Sequence, residues 1–364
     1  MSRACRYYLL AILLASFSNV ANALNEIDAR ISIVATSEPV SIEDMVSGWD
    51  GDYQSGELAY ADIAWDMGFA KTIDINNESF GKLRISKGYR IYYYLKFDEE
   101  TADYYRATEQ KTELDSNKTL DLEVKHFEAP SISLSYTSPS FDLSATDTRY
   151  QFELSSHFYQ PGHFQFGEVK GMAFSPDPDE FSATIDYRYD EFKLPWLEEE
   201  QNYEVEKGFG YSFDLGLSVD FDSWLAKVKA ADVLAQFYWQ DAGVTVACLQ
   251  TKAGEGAVCD NTGGNGKSEQ KAIVETIPVT YSGQLIRKDL DLSLHAYQHG
   301  AYYRFGIEKG QQTALGRLGF FLYYPRLVGM SWHTSVFNIQ FGADTFNFNQ
   351  AHNVQLSMGA NWQW

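Results

Sequence analysis

Charged residues of both signs recur at alternate positions within otherwise apolar segments. Asp62 and Asp66 lie in ELAYADIAWDMGFA, and Arg84, Arg90 and Lys96 lie in the next such segment, KLRISKGYRIYYYLKF. If the two segments pair as a hairpin, these charges face each other in one polar space. There they either form ion pairs that satisfy and seal the interior, or create a transverse field that orients polar solutes and selects ions. Further candidates for the same polar lining are Asp186, Arg188, Asp214, Asp220 and Arg304.

Motifs for catalysis or metal binding are not found. The chain has seven histidines but no G-x-S-x-G motif and no H-E-x-x-H motif. His295 and His299 lie four positions apart, which on a strand separates them by about 13 Å, too far for one metal ion. Whether a serine or an aspartate lies within hydrogen-bond reach of a histidine depends on the fold. We therefore predict no catalytic residue, no metal and no cofactor.

The elements that must position the charged residues are β-strands. The last segment, NVQLSMGANWQW, puts Val354, Leu356, Met358, Trp362 and Trp364 on one side, with polar residues and Gly359 on the other. GFGYSFDLGLSVDF shows the same period of two, which indicates a strand with one apolar and one polar face. A dozen to about fifteen such segments follow one another. SWLAKVKAADVL is the best helix candidate, but it continues into a strand.

The length of the apolar faces separates two all-β architectures. A soluble sandwich or propeller uses strands of about 5–6 residues, whereas a tilted strand needs about 9–11 residues to cross a bilayer. Several apolar faces reach that length, and aromatic residues cluster near their ends, as at a membrane interface. We predict an all-β fold, a transmembrane antiparallel up-and-down β-barrel of about 12–14 strands, because closure leaves no backbone group unpaired in lipid. Long outer loops are predicted at 251–271, 98–118 and 195–207.

The chain start predicts export. Residues 1–23 combine a basic start, a short apolar stretch and the cleavage site Ala21-Asn22-Ala23, which is typical of a secretory signal peptide. We assign 24–56 to an N-terminal segment, either a periplasmic extension or a plug, and 57–364 to the barrel. Cys248 and Cys259 remain in the exported chain, so we predict a disulfide between them. The net charge of −21 argues against nucleic acid as a partner.

The last strand, which ends on Trp362 and Trp364, resembles the C-terminal signature of bacterial outer-membrane β-barrel proteins. With the signal peptide and the strand array, the resemblance covers nearly the whole mature chain, and it points to no single family within that class. It implies a place in the outer membrane after cleavage near Ala23, with membrane lipid, lipopolysaccharide and the barrel-assembly machinery as partners. The two tryptophans would belong to the signal that this machinery reads.

Three functions remain open at this stage. The first is a porin-like channel for passive passage of small polar solutes or ions, without enzymatic activity. The second is a plugged, non-conducting barrel with a structural, adhesive or envelope-assembly role. The third is an outer-membrane lipid hydrolase or protease. Oligomer formation is compatible with each of them.

Overall fold

The computed structural model describes residues 25–49, 51–75, 78–142, 147–190, 205–252, 257–259 and 263–363. The predicted signal peptide and Trp364 lie outside the described residues. The α-helices are α1 (Ile42–Ser47) and α2 (Glu99–Gln110), and a short 3-10 helix covers Phe348–Gln350. The strands are β1 (Asn25–Ser37), β2 (Leu58–Ile75), β3 (Glu78–Phe97), β4 (Lys118–Thr137), β5 (Phe141–Asp142), β6 (Thr148–Tyr159), β7 (Phe164–Ala173), β8 (Phe181–Tyr189), β9 (Phe209–Phe221), β10 (Trp224–Gln250), β11 (Gly263–Glu275), β12 (Thr280–Arg287), β13 (Leu292–His299), β14 (Tyr302–Thr313), β15 (Gly316–Tyr324), β16 (Leu327–His333), β17 (Phe337–Ala343) and β18 (Asn353–Gln363).

Antiparallel pairing closes the strands into a ring. β1 pairs with β2, β2 with β3, and β3 with β4. The ring continues as β4 pairs with β6, β6 with β9, and β9 with β10. From β10 the ring passes to β12 and then runs through consecutive strands to β18, which pairs with β1. This circuit of described strands contains fourteen members, so the predicted antiparallel barrel is confirmed.

The two faces of the wall differ as the alternation predicts. On β18, Gln355 faces the interior and is buried, whereas Trp362 faces outward and is half exposed. Large apolar side chains stand exposed on the outer face of nearly every ring strand, among them Met67, Phe320 and Met330. Closed pairing satisfies the backbone behind this apolar surface. None of the helices in the described part of the chain combines the length and the hydropathy needed to cross a membrane.

The structure corrects the predicted boundary between the N-terminal segment, 24–56, and the barrel, 57–364. Asn25–Ser37 forms a full ring strand between β18 and β2, with Ile31 opposite Met358 on one side and Trp65 on the other. Its residues Ile27 and Ile31 face outward, and Asp28, Arg30 and Val34 face inward. This part of 24–56 is therefore neither a plug nor an extension, because it closes the barrel.

The first and last described residues, Asn25 and Gln363, lie at one end of the ring, which we call the end of the termini. A second tier of sheet extends the wall at the opposite end. The first half of β4 pairs with β7, β7 with β8, and β8 with the second half of β10, which also pairs with β11. The predicted loop 251–271 is therefore partly strand, because Gly263–Glu275 continues the ladder on β10. SWLAKVKAADVL is strand as well, since Trp224–Gln250 is one long β10. Most of the predicted loop 195–207 lies outside the described residues.

A helical cap covers the same end. The acidic run that we predict as a loop contains α2, whose N-cap Asp98 accepts a hydrogen bond from the Thr101 N–H at 2.7 Å. The Tyr53 hydroxyl donates to Asp103 at 2.5 Å, which ties the β1–β2 connection to α2. Burial and the neighbouring Asp103 carboxylate raise the pKa of Tyr53 well above its ordinary value, so the hydroxyl stays a donor at any physiological pH. At the opposite end, tight turns such as Asp222-Ser223 join neighbouring strands.

Candidate functional site

The barrel encloses a polar chamber. Its central cavity has a volume of about 430 Å³ and is lined by inward-facing residues from most strands of the ring. A second cavity of about 360 Å³ shares Glu153, Lys229 and Arg304 with it and continues toward Thr137 and Lys227, at the end where the chain termini lie. The chamber wall is rich in serine, including Ser131, Ser133, Ser135 and Ser155 from β4 and β6, and Ser357 from β18. Polar solutes are the molecules that such a lining suits.

Arg90 forms the most extensive ion pair in the chamber. Its guanidinium makes two hydrogen bonds to Asp62, at 2.9 and 2.8 Å, and two to Asp232, at 2.7 and 2.8 Å. Its Nη1 also lies 3.4 Å from the Tyr159 hydroxyl. Bidentate contacts on both sides fix the plane of the guanidinium. Because β3 and β10 are not neighbours, this network ties two separate parts of the wall together.

The position of Asp232 depends on an irregularity in β10. The β9–β10 register shifts between Ala230 and Val233 and again between Val233 and Gln236. Asp232 and Leu234 both have positive φ, at 60° and 54°, which side chains other than glycine rarely adopt. The bulge turns Asp232 inward to a buried position and leaves Leu234 exposed outside. A regular strand could not place a carboxylate there.

A second network joins the first three strands. Arg84 donates to Asp28 through Nε at 2.8 Å and through Nη2 at 2.5 Å, and it also pairs with Asp66. Its Nη1 donates to the Ser86 hydroxyl at 2.8 Å. The hairpin that the sequence predicts thus brings Asp66 and Arg84 together, as it does Asp62 and Arg90. Asp28 completes the set from β1.

A third network lies on β4, β6, β9 and β10. The Nε2 atom of His157 lies 3.2 Å from Oδ2 of Asp214, and the same oxygen lies 2.8 Å from Nζ of Lys229. On the other side of the imidazole ring, Nδ1 lies 2.7 Å from the Ser133 hydroxyl. These four side chains all line the central cavity.

Aromatic side chains cross the lumen above the chamber. The hydroxyls of Tyr60 and Tyr297 lie 2.9 Å apart, and the Tyr92 hydroxyl lies 2.7 Å from Nε2 of His299. The strands β2 and β13 are seven steps apart in either direction around the ring, so the tyrosine pair joins opposite walls. The Tyr60 ring stacks on the His299 ring at a centroid distance of 4.6 Å. We call Tyr60, Tyr92, Tyr297 and His299 the aromatic seal.

An apolar cluster fills the space around and beyond the seal. Phe127, Phe164, Phe237 and Trp239 are fully or almost fully buried in it. The Phe127 and Phe237 rings lie 4.4 Å apart, and the Phe164 and Trp239 rings lie 4.0 Å apart. Buried aromatic side chains therefore fill the lumen at the cap end, whereas polar cavities occupy it toward the end of the termini.

The structure divides the predicted lining residues into three groups. The chamber receives Asp62, Asp66, Arg84, Arg90, Asp214 and Arg304. Asp220 lies at the end of the termini, where it pairs with Lys288 at 2.7 Å. Lys96, Asp186 and Arg188 lie on the far side of the seal, Lys96 near the end of β3 and the other two on β8 of the second tier. There Arg188 pairs with Glu275 at 2.9 Å.

Arg304 differs from the other cations of the central cavity. Its guanidinium lies 4.7 Å from the ring centre of Tyr297 and 5.5 Å from that of Tyr323. Among the described residues it forms no ion pair, whereas Arg84, Arg90 and Lys229 do. Glu153, on the wall of the same chamber, also has no ion pair within the described ranges. These two side chains are available to polar solutes.

The cysteines and the terminal tryptophans lie away from the chamber. Cys248, near the end of β10, and Cys259 form a disulfide with Cα atoms 5.7 Å apart, on the second tier. Trp362 stands on the outer face of β18. A group of three or more residues able to hold a metal ion is not found in the described part of the chain.

Comparison with known proteins identifies no family. No protein-family model and no curated protein matches the chain. Among solved structures it is similar to the siderophore receptor PirA from Pseudomonas aeruginosa, at 10% identity and a TM-score of 0.20, over 93% of this chain and 80% of that one. It is also similar to the CymD monoaromatic hydrocarbon channel, at 9% identity and a TM-score of 0.21, over 96% and 90%. TM-scores this low decide nothing, so the architecture rests on the strand pairings.

Proposed function

We propose that this chain is an outer-membrane β-barrel that forms a gated channel for small polar solutes, described here in its closed state. The observation that carries the proposal is the contact between Tyr60 and Tyr297 across the full width of the ring. An open porin would have water at this level. The chamber on one side of the seal is polar and bears Arg304 and Glu153, neither of which forms an ion pair within the described residues.

The apolar outer face supports the place in the membrane. Exposed leucine, phenylalanine and methionine side chains around a closed ring are stable in lipid. In water they would form a large apolar patch that promotes aggregation. The last strand keeps the apolar alternation that resembles the outer-membrane signature. Lipid, lipopolysaccharide and the barrel-assembly machinery are the partners that follow from this proposal. Oligomer formation stays a prediction, as does the absence of a cofactor.

A gate is preferred to a permanent plug because individual side chains form the seal. Rotation of Tyr60 or Tyr92 about χ1 would remove a cross-lumen contact without unfolding a domain. The permanently plugged barrel is the second candidate. The Arg90 network favours it, because breaking a buried bidentate ion pair during each opening is costly.

Planar-bilayer recording separates these functions. We expect purified protein to be silent for most of the recording and to show occasional unitary steps that voltage or an added solute makes more frequent. Steady open current from every inserted molecule would show an ungated porin instead. Complete silence at all voltages, from protein whose folding is verified by its mobility shift on heating, would favour the plugged barrel.

A single arginine on the outer face tests membrane insertion. We expect Phe320→Arg to destabilise the lipid-embedded barrel by about 2–4 kcal/mol, because a cation near the middle of the apolar band must leave water. The matched control is Val46→Arg on α1, an exposed position in the cap, where a change within about 0.5 kcal/mol is expected. Urea unfolding in lipid vesicles measures both. Equal stabilities of the two variants would contradict burial of this face in lipid.

A further inference from the structure

Three side chains of the chamber stand in the order nucleophile, base and carboxylate. The Ser133 hydroxyl lies 2.7 Å from Nδ1 of His157, and Nε2 of the same ring lies 3.2 Å from Oδ2 of Asp214. A neutral imidazole that donates from Nε2 to the aspartate presents Nδ1 as the acceptor for the serine proton. These are the roles of a Ser-His-Asp triad, which geometry and not sequence order defines. The two ring nitrogens exchange places relative to the chymotrypsin arrangement.

The strand register explains why these residues meet. Ser133 on β4 lies directly opposite His157 on β6, and Ser155, two positions before His157, lies opposite Asp214 on β9. Directly opposed side chains on one face have Cβ atoms about 4.5–5.5 Å apart, and diagonal pairs about 7–8 Å. The long imidazole therefore bridges the serine and the aspartate. The motif is spread over residues 133 to 214, which no short sequence pattern can detect.

Asp214 is held by more donors than the histidine alone. Its Oδ1 accepts a hydrogen bond from the Asp232 N–H at 3.2 Å, and its Oδ2 contacts Lys229. The β10 bulge supplies the first of these contacts, since it directs the backbone of Asp232 toward β9. The carboxylate is thus kept ionised and oriented toward His157, which is what a base needs from its third member.

The opposite side of Ser133 offers a donor for the developing oxyanion. Ser86 on β3 lies directly across from Ser133, so the nucleophile stands between Ser86 and His157. The Ser86 oxygen accepts from Nη1 of Arg84 at 2.8 Å, which leaves its own hydrogen free to donate. A hydroxyl polarised by a guanidinium is a suitable partner for negative charge on a substrate oxygen.

We propose that Ser133, His157 and Asp214 form a hydrolytic site that cleaves small carboxylic esters inside the barrel. Ser133 Oγ forms a bond to the ester carbonyl carbon while its proton passes to His157 Nδ1. The bond from that carbon to the alkoxy oxygen breaks, and the leaving alcohol takes the proton from His157. A water molecule then attacks the acyl-serine, gives its proton to His157, and releases the acid as Ser133 regains that proton.

The size and polarity of the chamber set the substrate class. A cavity of about 430 Å³ is at the small end of the 300–1,000 Å³ that ligand sites typically occupy. It suits a short-chain ester and not a phospholipid. Access comes from the end of the termini through the second cavity, so the site does not require the seal to open. The proposed hydrolysis and the proposed conductance can therefore be tested, and refuted, independently of each other.

A fluorophosphonate probe and p-nitrophenyl acetate test the site on the full-length, folded barrel. We expect the probe to label wild type at Ser133, identified by mass spectrometry of the peptide, and the ester to be hydrolysed. Ser133→Ala should abolish labelling and lower turnover on the order of 10³-fold, and His157→Gln should do nearly the same.

Ser156→Ala is the matched control. Ser156 precedes His157 on β6, but alternation turns its side chain to the outer face, and it lines neither cavity. This variant should label and turn over as wild type does. A folded wild type that neither labels nor hydrolyses the ester would overturn the proposal, as would label on Ser135 or undiminished turnover in Ser133→Ala. A purely structural network predicts altered stability in the variants and no covalent adduct in any of them.

Discussion

Replacing Tyr60 and His299 together by alanine is expected to turn a mostly silent barrel into a steadily conducting one. Tyr60 provides the hydroxyl that meets Tyr297, and its ring stacks on His299, which in turn meets Tyr92. The double substitution removes both the Tyr60–Tyr297 and the Tyr92–His299 contact across the lumen. We expect stable unitary current steps in a planar bilayer and faster swelling of liposomes in small sugars.

The control for this experiment is Tyr303→Ala. Tyr303 lies on β14, next in sequence to Tyr302, whose ring contacts Tyr60, but the Tyr303 side chain is on the outer face and about half exposed. It should leave the current as in wild type. Silence of the double variant, with folding verified by heat-dependent mobility, would show that the apolar cluster around Phe127 and Phe237 closes the lumen without the seal. A wild type that conducts as much as the variant would refute the seal altogether.

The sequence predicts most of the wall of this barrel because most of its strands obey the same period. Val354, Leu356 and Met358 stand on the outer face of β18, and Asp62, Asp66, Arg84 and Arg90 face inward as their positions require. Pairing of two adjacent segments is a local event, so the Asp62–Arg90 and Asp66–Arg84 contacts follow from the hairpin between β2 and β3.

Contacts between distant strands could not be predicted in this way. Asp232 enters the lumen only because a bulge breaks the period of β10, and a bulge changes which face a residue occupies. The Tyr60–Tyr297 contact depends on how far apart the walls stand, which is a property of the closed ring. The sequence places β1 in a periplasmic extension or a plug, because the alternation in residues 24–56 is weak. Glu26, Asp28 and Arg30 make its first half polar. Inside a barrel these are the residues of an ordinary inner face.

The helix α2 shows a different limitation. EETADYYRATEQ is acidic and lies between two strands, so composition alone favours a loop. Capping residues are nevertheless present at both ends of the helix. Asp98 caps its first turn, and Lys111 ends it in a left-handed conformation, with φ at 53°. Attention to capping residues, and not to hydrophobic periodicity, would have located this element.

Removing the Arg90 side-chain charge is expected to have the largest effect on stability. In Arg90→Met, the buried carboxylate of Asp232 and the half-buried carboxylate of Asp62 lose the four hydrogen bonds that now neutralise them, at 2.7 to 2.9 Å. Breaking a buried pair from one side costs about 3–5 kcal/mol, because an uncompensated charge stays in a poorly solvated place. Urea unfolding in lipid vesicles, followed by tryptophan fluorescence, measures the change. Lys96→Met, which neutralises an exposed cation six positions along the same strand, should alter stability by less than about 0.5 kcal/mol.

A rescue variant distinguishes charge from packing. If the loss of stability in Arg90→Met comes from two unpaired carboxylates, adding Asp62→Asn and Asp232→Asn should restore much of the stability. A network that is replaced as a whole is often neutral in free energy. If the loss comes from the contacts of the guanidinium group with the Tyr92 and Phe127 rings, whose centres lie 5.5 and 5.9 Å from Arg90 Cζ, the triple variant should remain as unstable as the single one. Recovery would also change the gate, because Asp232 would no longer be tied to β3. An accompanying rise in open current would then identify the Arg90 network, together with the aromatic seal, as part of the barrier that holds the lumen closed.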